Sequence, residues 1–177
     1  MPVSSDDVKN ASGLTSSEKQ IIQSIKELYT CKPTDSTYEM YTETAVFHDP
    51  IGIAEGVKSI RAQFNGLAKL FPRAEIPKLR VLENPPSVPK STLLIDQDVS
   101  YYRNPQGEPI KTINSLLTIE TNDQHKVTRH TEEWNHRRET SAEDGFMGML
   151  NEGRKKFTAN FTGMFVSQAP PEQKNES

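Results

Sequence analysis

Tyr41-Thr42-Glu43-Thr44-Ala45-Val46-Phe47-His48-Asp49-Pro50-Ile51-Gly52 is the stretch around which the chain is organised. An aromatic helix end runs into a short β-prone piece, Ala45 to His48, which stops at Asp49-Pro50-Ile51-Gly52. Those four residues suit a type I turn, with Asp first, Pro already holding its φ at the second place and Gly at the fourth. Alternation along the strand puts Phe47 and Asp49 on one face and His48 on the other. Asp49 stands where a strand ends and the chain reverses, so its carboxylate either accepts the backbone N–H groups of its own turn or faces a cavity.

Upstream, Thr15-Ser16-Ser17-Glu18 has the spacing of a capping box, and Ile21, Ile22, Ile25, Leu28 and Tyr29 follow at helical intervals. The spacing predicts a helix from Thr15 that Cys31-Lys32-Pro33 ends. A second, short helix is expected from Thr34 or Asp35, with Tyr38 and Tyr41 on a common side. Glu55-Gly56 leads into a third, in which Val57, Ile60, Phe64, Leu67 and Phe71 share a face until Pro72 stops it. The remainder reads as strands at 78–82, 93–102, 110–121 and 127–138, punctuated by Pro-rich 83–89 and the turns Asn104-Pro105-Gln106-Gly107 and Asn122-Asp123-Gln124. A final amphipathic helix over 142–166 carries Phe146, Leu150, Phe157, Phe161 and Phe165. It is expected to be a lid, a surface between subunits or an extension of the core.

The Asp-Pro-hydrophobic-Gly run, the Gly-led amphipathic helix after it and the polar strand ending in Glu132-Glu133-Trp134 together resemble the nuclear transport factor 2-like superfamily, most of all its SnoaL-like polyketide cyclases and ketosteroid isomerases. The likeness spans roughly residues 15 to 140. It implies an α+β cone in which three N-terminal helices pack on a curved, mostly antiparallel sheet, forming a homodimer with a pocket for a small hydrophobic molecule. By position Asp49 matches the isomerases' catalytic base, and Trp134 an aromatic of their cavity. The tyrosine that holds the enolate oxygen in those enzymes falls on Ile25, and the neutral acid beside it falls near Ser115. With neither donor in place, the resemblance does not extend to a steroid isomerase in the strict sense.

Composition sets further bounds. At 177 residues the chain suits one domain, expected over 15–166, between polar tails at 1–14 and 167–177 that are expected to be disordered. A formal charge of -3 gives no basic field for nucleic acid or an anionic membrane, and His136-Arg137-Arg138 and Arg154-Lys155-Lys156 are too short to make one. No run approaches the roughly 20 apolar residues of a membrane span, and the N-terminus lacks the apolar core of a secretory signal. Cys31, the single cysteine, forms no internal disulfide, and a cytoplasmic location is the expectation.

A curved sheet wrapped on helices encloses a hollow lined by one face of each strand. If the alternation holds, Asp49, Gln97, Tyr101, Ser115, His130, Glu132 and Trp134 look into it among Phe47, Ile95, Val99, Ile113 and Leu117. Asp49, with His130 or Glu132 as its acid/base partner, makes the catalytic set, suited without a cofactor to moving a proton at carbon next to a carbonyl, or to dehydration or cyclisation. Phe47, Gln97, Tyr101, Ser115, Leu117 and Trp134 make the ligand-binding set. The plainer alternatives are a cross-strand pair for His130 and Glu132, core packing for Trp134, and a scaffold that only binds a ligand or protein partner. No metal site is expected: His130 and His136 lie roughly 20 Å apart along a strand at about 3.3 Å per residue, and His130 with Glu132 supplies two ligands without a third.

Overall fold

The computed structural model describes residues 8–135, 146 and 148–152. Two α-helices, α1 (Ser16–Tyr29) and α2 (Val57–Leu70), pack on six strands: β1 (Tyr41–Asp49), β2 (Gly52–Glu55), β3 (Arg73–Leu82), β4 (Thr92–Tyr102), β5 (Lys111–Thr121) and β6 (Val127–Trp134). The strand order is β2-β1-β6-β5-β4-β3. β1 and β6 run parallel and every other neighbouring pair is antiparallel. Irregularities in the pairing of β1 with β6, β3 with β4 and β5 with β6 bend the sheet, as an extra residue on one strand does. The result is an open, curved α+β cone whose concave face and helices share one core.

The helix starts follow local chemistry. Thr15 Oγ1 accepts the Glu18 N–H at 3.1 Å, and Glu18 Oε2 accepts the Thr15 N–H at 2.7 Å, which closes the capping box at the head of α1. Removing the hydroxyl with Thr15→Ala is expected to cost about 1 kcal/mol, read from the urea midpoint with an unchanged slope. α2 begins at Gly56, whose φ of 84° lies in the left-handed region. Its N–H reaches Ala45 O at 2.8 Å, and a Cβ there would stand 3.4 Å from Glu43 O, so the crossing from β2 into α2 suits glycine alone.

Several expectations change. The second helix is a 3₁₀ turn, Asp35–Met40, and Tyr41 belongs to β1 rather than to a helix end. β2 replaces a loop, since the Asp49 turn is tight enough to fold Gly52–Glu55 straight back on β1. β3 begins at Arg73, five residues before the expected Lys78. Pro77 sits within the pairing irregularity between Glu75 and Lys78 on this edge strand, where its missing N–H breaks no ladder. Residues 8–14 of the expected disordered tail are placed: Val8 bridges Leu82, the Lys9 N–H reaches Val81 O at 2.7 Å, and Ala11–Gly13 form a 3₁₀ turn.

In β4 the expected inward set, Leu93, Ile95, Gln97, Val99 and Tyr101, is buried on the concave face. So, however, are Thr92, Asp96, Ser100 and Tyr102 of the opposite set, where Leu94 and Asp98 are half-buried. Of the C-terminal element, Phe146 and residues 148–152 are helical; Phe146 packs between Phe71 and Tyr101. The rest of 142–166, including Phe157, Phe161 and Phe165, lies outside the described residues, as do residues 136–138 of the expected last strand. Among the described residues no helix is long and apolar enough to cross a membrane.

Candidate functional site

The turn that ends β1 does two things at once. Asp49 Oδ1 accepts the N–H groups of Ile51 (2.9 Å) and Gly52 (3.0 Å), which makes it the anchor of an Asx turn. Its side chain is also 94% buried and lines a cavity of about 530 Å³ between the concave face and α2. Both readings of Asp49 therefore describe the same carboxylate.

The parallel pairing of β1 and β6 supplies the second acid. Phe47 stands opposite His130, so two residues further along each strand Asp49 and Glu132 project from the same face. Burial raises Glu132 first, and the Asp49 charge raises it further. Hydrogen bonds pull the other way: Tyr29 Oη donates to Oε2 at 2.8 Å, and Ser115 Oγ and Trp134 Nε1 each donate to Oε1 at 2.8 Å. The balance leaves Glu132 titrating at about 7. The site thus holds a carboxyl group poised between donor and acceptor near neutral pH.

Behind Glu132 lies His130, fully buried among the rings of Tyr29, Tyr41, Phe47 and Phe64. Its Nδ1 is 2.7 Å from Tyr41 Oη and its Nε2 is 3.2 Å from Tyr29 Oη. Burial pushes His130 down to about 3, so the ring is neutral at physiological pH. The expected inward-facing set therefore divides. Phe47, Asp49, Tyr101, Glu132 and Trp134 line the cavity, whereas Gln97, Ser115, Leu117 and His130 are buried but stand outside its lining. Ser115 still acts on the site through Glu132; Gln97 forms no side-chain hydrogen bond with another described residue.

Two features of the site were not read from the sequence. Tyr29, which by spacing belongs to the apolar face of α1, brings a phenol into the cavity one helical turn beyond Ile25. It stands on the face that Ile25 shares, and that spacing was the available signal. The wall from α2 is the other: Ser59, Gln63, Leu67 and Leu70 face the cavity beside the buried stripe of Ile60 and Phe64. Ile53 and Glu55 of β2 and Leu150 also line the cavity. Among the described residues no three of His, Cys, Asp and Glu come together as a metal-binding group. Cys31 is held away from reactivity, since burial pushes its thiol up to about 12.

An open mixed sheet, curled over two helices around a carboxylate-bearing hollow, is the nuclear transport factor 2-like fold, and this chain has it. A nuclear transport factor 2-like protein from Anabaena variabilis superimposes with a TM-score of 0.56 at 15% identity, over 71% of this chain and 91% of that one. A steroid delta-isomerase from Pseudomonas aeruginosa gives 0.57 at 10% identity, over 85% and 97%. A candidate polyketide cyclase from Sinorhizobium meliloti gives 0.50 at 18% identity, over 70% and 99%. No protein-family model matches the chain, and no curated protein matches it in sequence.

Proposed function

We propose that the cavity binds a small, largely apolar, uncharged carbonyl compound and moves a proton at the carbon next to that carbonyl. Asp49 takes the proton from carbon. Tyr29, with the neutral form of Glu132 behind it, donates to the oxygen on which charge collects. The observation that carries this reading is the pairing of Asp49 with a Glu132 that titrates at about 7, both in one cavity of about 530 Å³. Two nearby carboxyl groups in a buried site favour one charged and one neutral member, which is the division of labour such chemistry needs.

The walls agree with the ligand class. Phe47, Phe64, Leu67 and Leu70 supply apolar surface, and among the described residues no Lys, Arg or His lines the cavity. An anionic ligand would meet Asp49, Glu132 and Glu55 with nothing to balance its charge.

β-Tetralone, an apolar ketone with exchangeable hydrogens beside its carbonyl, is a direct probe. In deuterium oxide near neutral pH the protein is expected to speed deuterium uptake at that carbon well above the buffer rate, followed by proton NMR. Exchange at the buffer rate for β-tetralone despite saturable binding would favour a second reading. In it, the three donors to Glu132 only satisfy a buried carboxylate, and the scaffold binds without catalysing.

A further inference from the structure

Four buried side chains from three elements form one hydrogen-bonded chain: Tyr41 of β1, His130 of β6, Tyr29 of α1 and Glu132 of β6, linked at 2.7, 3.2 and 2.8 Å. We propose that Tyr41 and His130 are positioning residues that set where the hydroxyl proton of Tyr29 goes: to Glu132 while that carboxylate is ionised, and into the cavity once Glu132 carries a proton. The inference rests on the proton-transfer reading of the cavity and names the part of the fold that would orient its oxygen-facing donor.

Counting protons gives the direction. Each tyrosine has one hydroxyl proton, and a neutral imidazole has one N–H. The Tyr41 hydroxyl is shut away from solvent, and among the described residues its hydrogen-bond partner is His130 Nδ1. If Nδ1 carried the proton, the Tyr41 proton would be stranded in an apolar site, a costly arrangement. Tyr41 therefore donates, Nδ1 accepts, and the imidazole proton sits on Nε2. From there it points at the Tyr29 oxygen, 3.2 Å away, and leaves the Tyr29 proton free to go to Glu132 Oε2.

Glu132 is met on its other oxygen by Ser115 and Trp134, and an indole N–H can only donate. A proton that arrives from the cavity is best placed on Oε2, where it donates to Tyr29 Oη and displaces the Tyr29 proton. The way back towards His130 is closed by the Nε2–H. What remains is the cavity, which Tyr29 lines. His130 and Tyr41 gain and lose nothing; the one added proton stays on Glu132. The other titratable groups facing Glu132 are Asp49 from β1 and Tyr101 from β4, and the charge on Asp49 favours the protonated form.

Nitrogen-15 NMR of the histidine rings reads the tautomer without any ligand. In the full chain, His130 should show a protonated Nε2 and a bare Nδ1 both above and below the point near pH 7 where Glu132 titrates. Tyr41→Phe should move a large share of the ring proton to Nδ1 and shift the carbon-13 titration of the Glu132 carboxyl, whereas Tyr29→Phe should leave the His130 tautomer as it was. A protonated Nδ1 in the parent, an imidazolium ring near neutral pH, or a Tyr41→Phe spectrum identical to the parent in a folded protein would overturn the inference. Its failure is separable from that of the proposed chemistry. The expected tautomer without β-tetralone exchange leaves the hydrogen-bond chain standing and removes the chemistry; exchange with the reversed tautomer removes the positioning role alone.

Discussion

Glu132→Gln is expected to make the stability of this protein climb with pH between about 4.5 and 6.5, where the parent stays comparatively flat. The parent carries two opposed slopes. Folding raises Glu132 from 4.5 to about 7, so the folded state binds more protons than the unfolded one across that interval, and stability is lost as pH rises. His130 falls from 6.5 to about 3 on folding, so there the unfolded state binds more protons and stability is gained as pH rises. Over the shared window of 4.5 to 6.5 each group alone is worth about 3 kcal/mol, two pH units at about 1.4 kcal/mol each. Glutamine keeps the size of Glu132, and its amide oxygen can accept from Ser115 and Trp134 while its NH2 donates to Tyr29 Oη, but it does not titrate, so the His130 slope is left uncovered. His130→Leu should tilt the curve the other way, towards greater stability in acid. Urea unfolding at a series of pH values measures both, and parallel curves for parent and Glu132→Gln would show that Glu132 is not shifted upward. Carboxylates held below their usual range, such as Asp96 beside Arg80 and Asn114, act alike in parent and variant and drop out of the difference.

The second large effect is on chemistry. Asp49→Asn should lower protein-dependent deuterium exchange into β-tetralone by roughly 10²- to 10⁴-fold, the range over which a positioned general base acts. Asparagine can still offer its side-chain oxygen to the N–H groups of Ile51 and Gly52, so the turn between β1 and β2 should survive and the unfolding midpoint should move little. Loss of rate with retained stability separates the base from the turn anchor. A rate within a few-fold of the parent would take Asp49 out of the reaction.

What the sequence made legible was the part that rests on near neighbours. The capping box at Thr15 and the turn at Asp49 each involve residues within four positions of one another, and each is found where its spacing placed it; in β4 the inward set from Leu93 to Tyr101, spaced two apart, is buried as expected. The order of helices and strands comes from the same local patterns, and the inward face of Asp49 from its place at the end of an alternating strand; the resemblance agrees with both. Missed features depend on distant partners. Tyr29 meets Glu132 across 103 positions, so the pattern of α1 gives the face its phenol takes but not the partner it meets. Ile25 and Ser115 offer no acidic donor, and in the proposed reading those places are taken by a phenol one turn along the helix and an acid on the neighbouring strand. Alternation makes His130 an acid/base partner for Asp49, because it tells which face a residue takes, not how deep it lies behind its neighbours; His130 is buried outside the cavity lining. The short helix expected from Thr34 or Asp35 is present as the 3₁₀ turn Asp35–Met40, whereas the four-residue β2 is too short for any period to show.

An unclosed sheet ends in two selvedges, and at each a row of amide and carbonyl groups is ready to be stitched to a foreign strand. At β3 the chain sews part of that hem with its own leader, Val8 and Lys9 taking up Leu82 and Val81. That pairing occupies the end of β3 and leaves fewer of its backbone groups for a foreign strand to join.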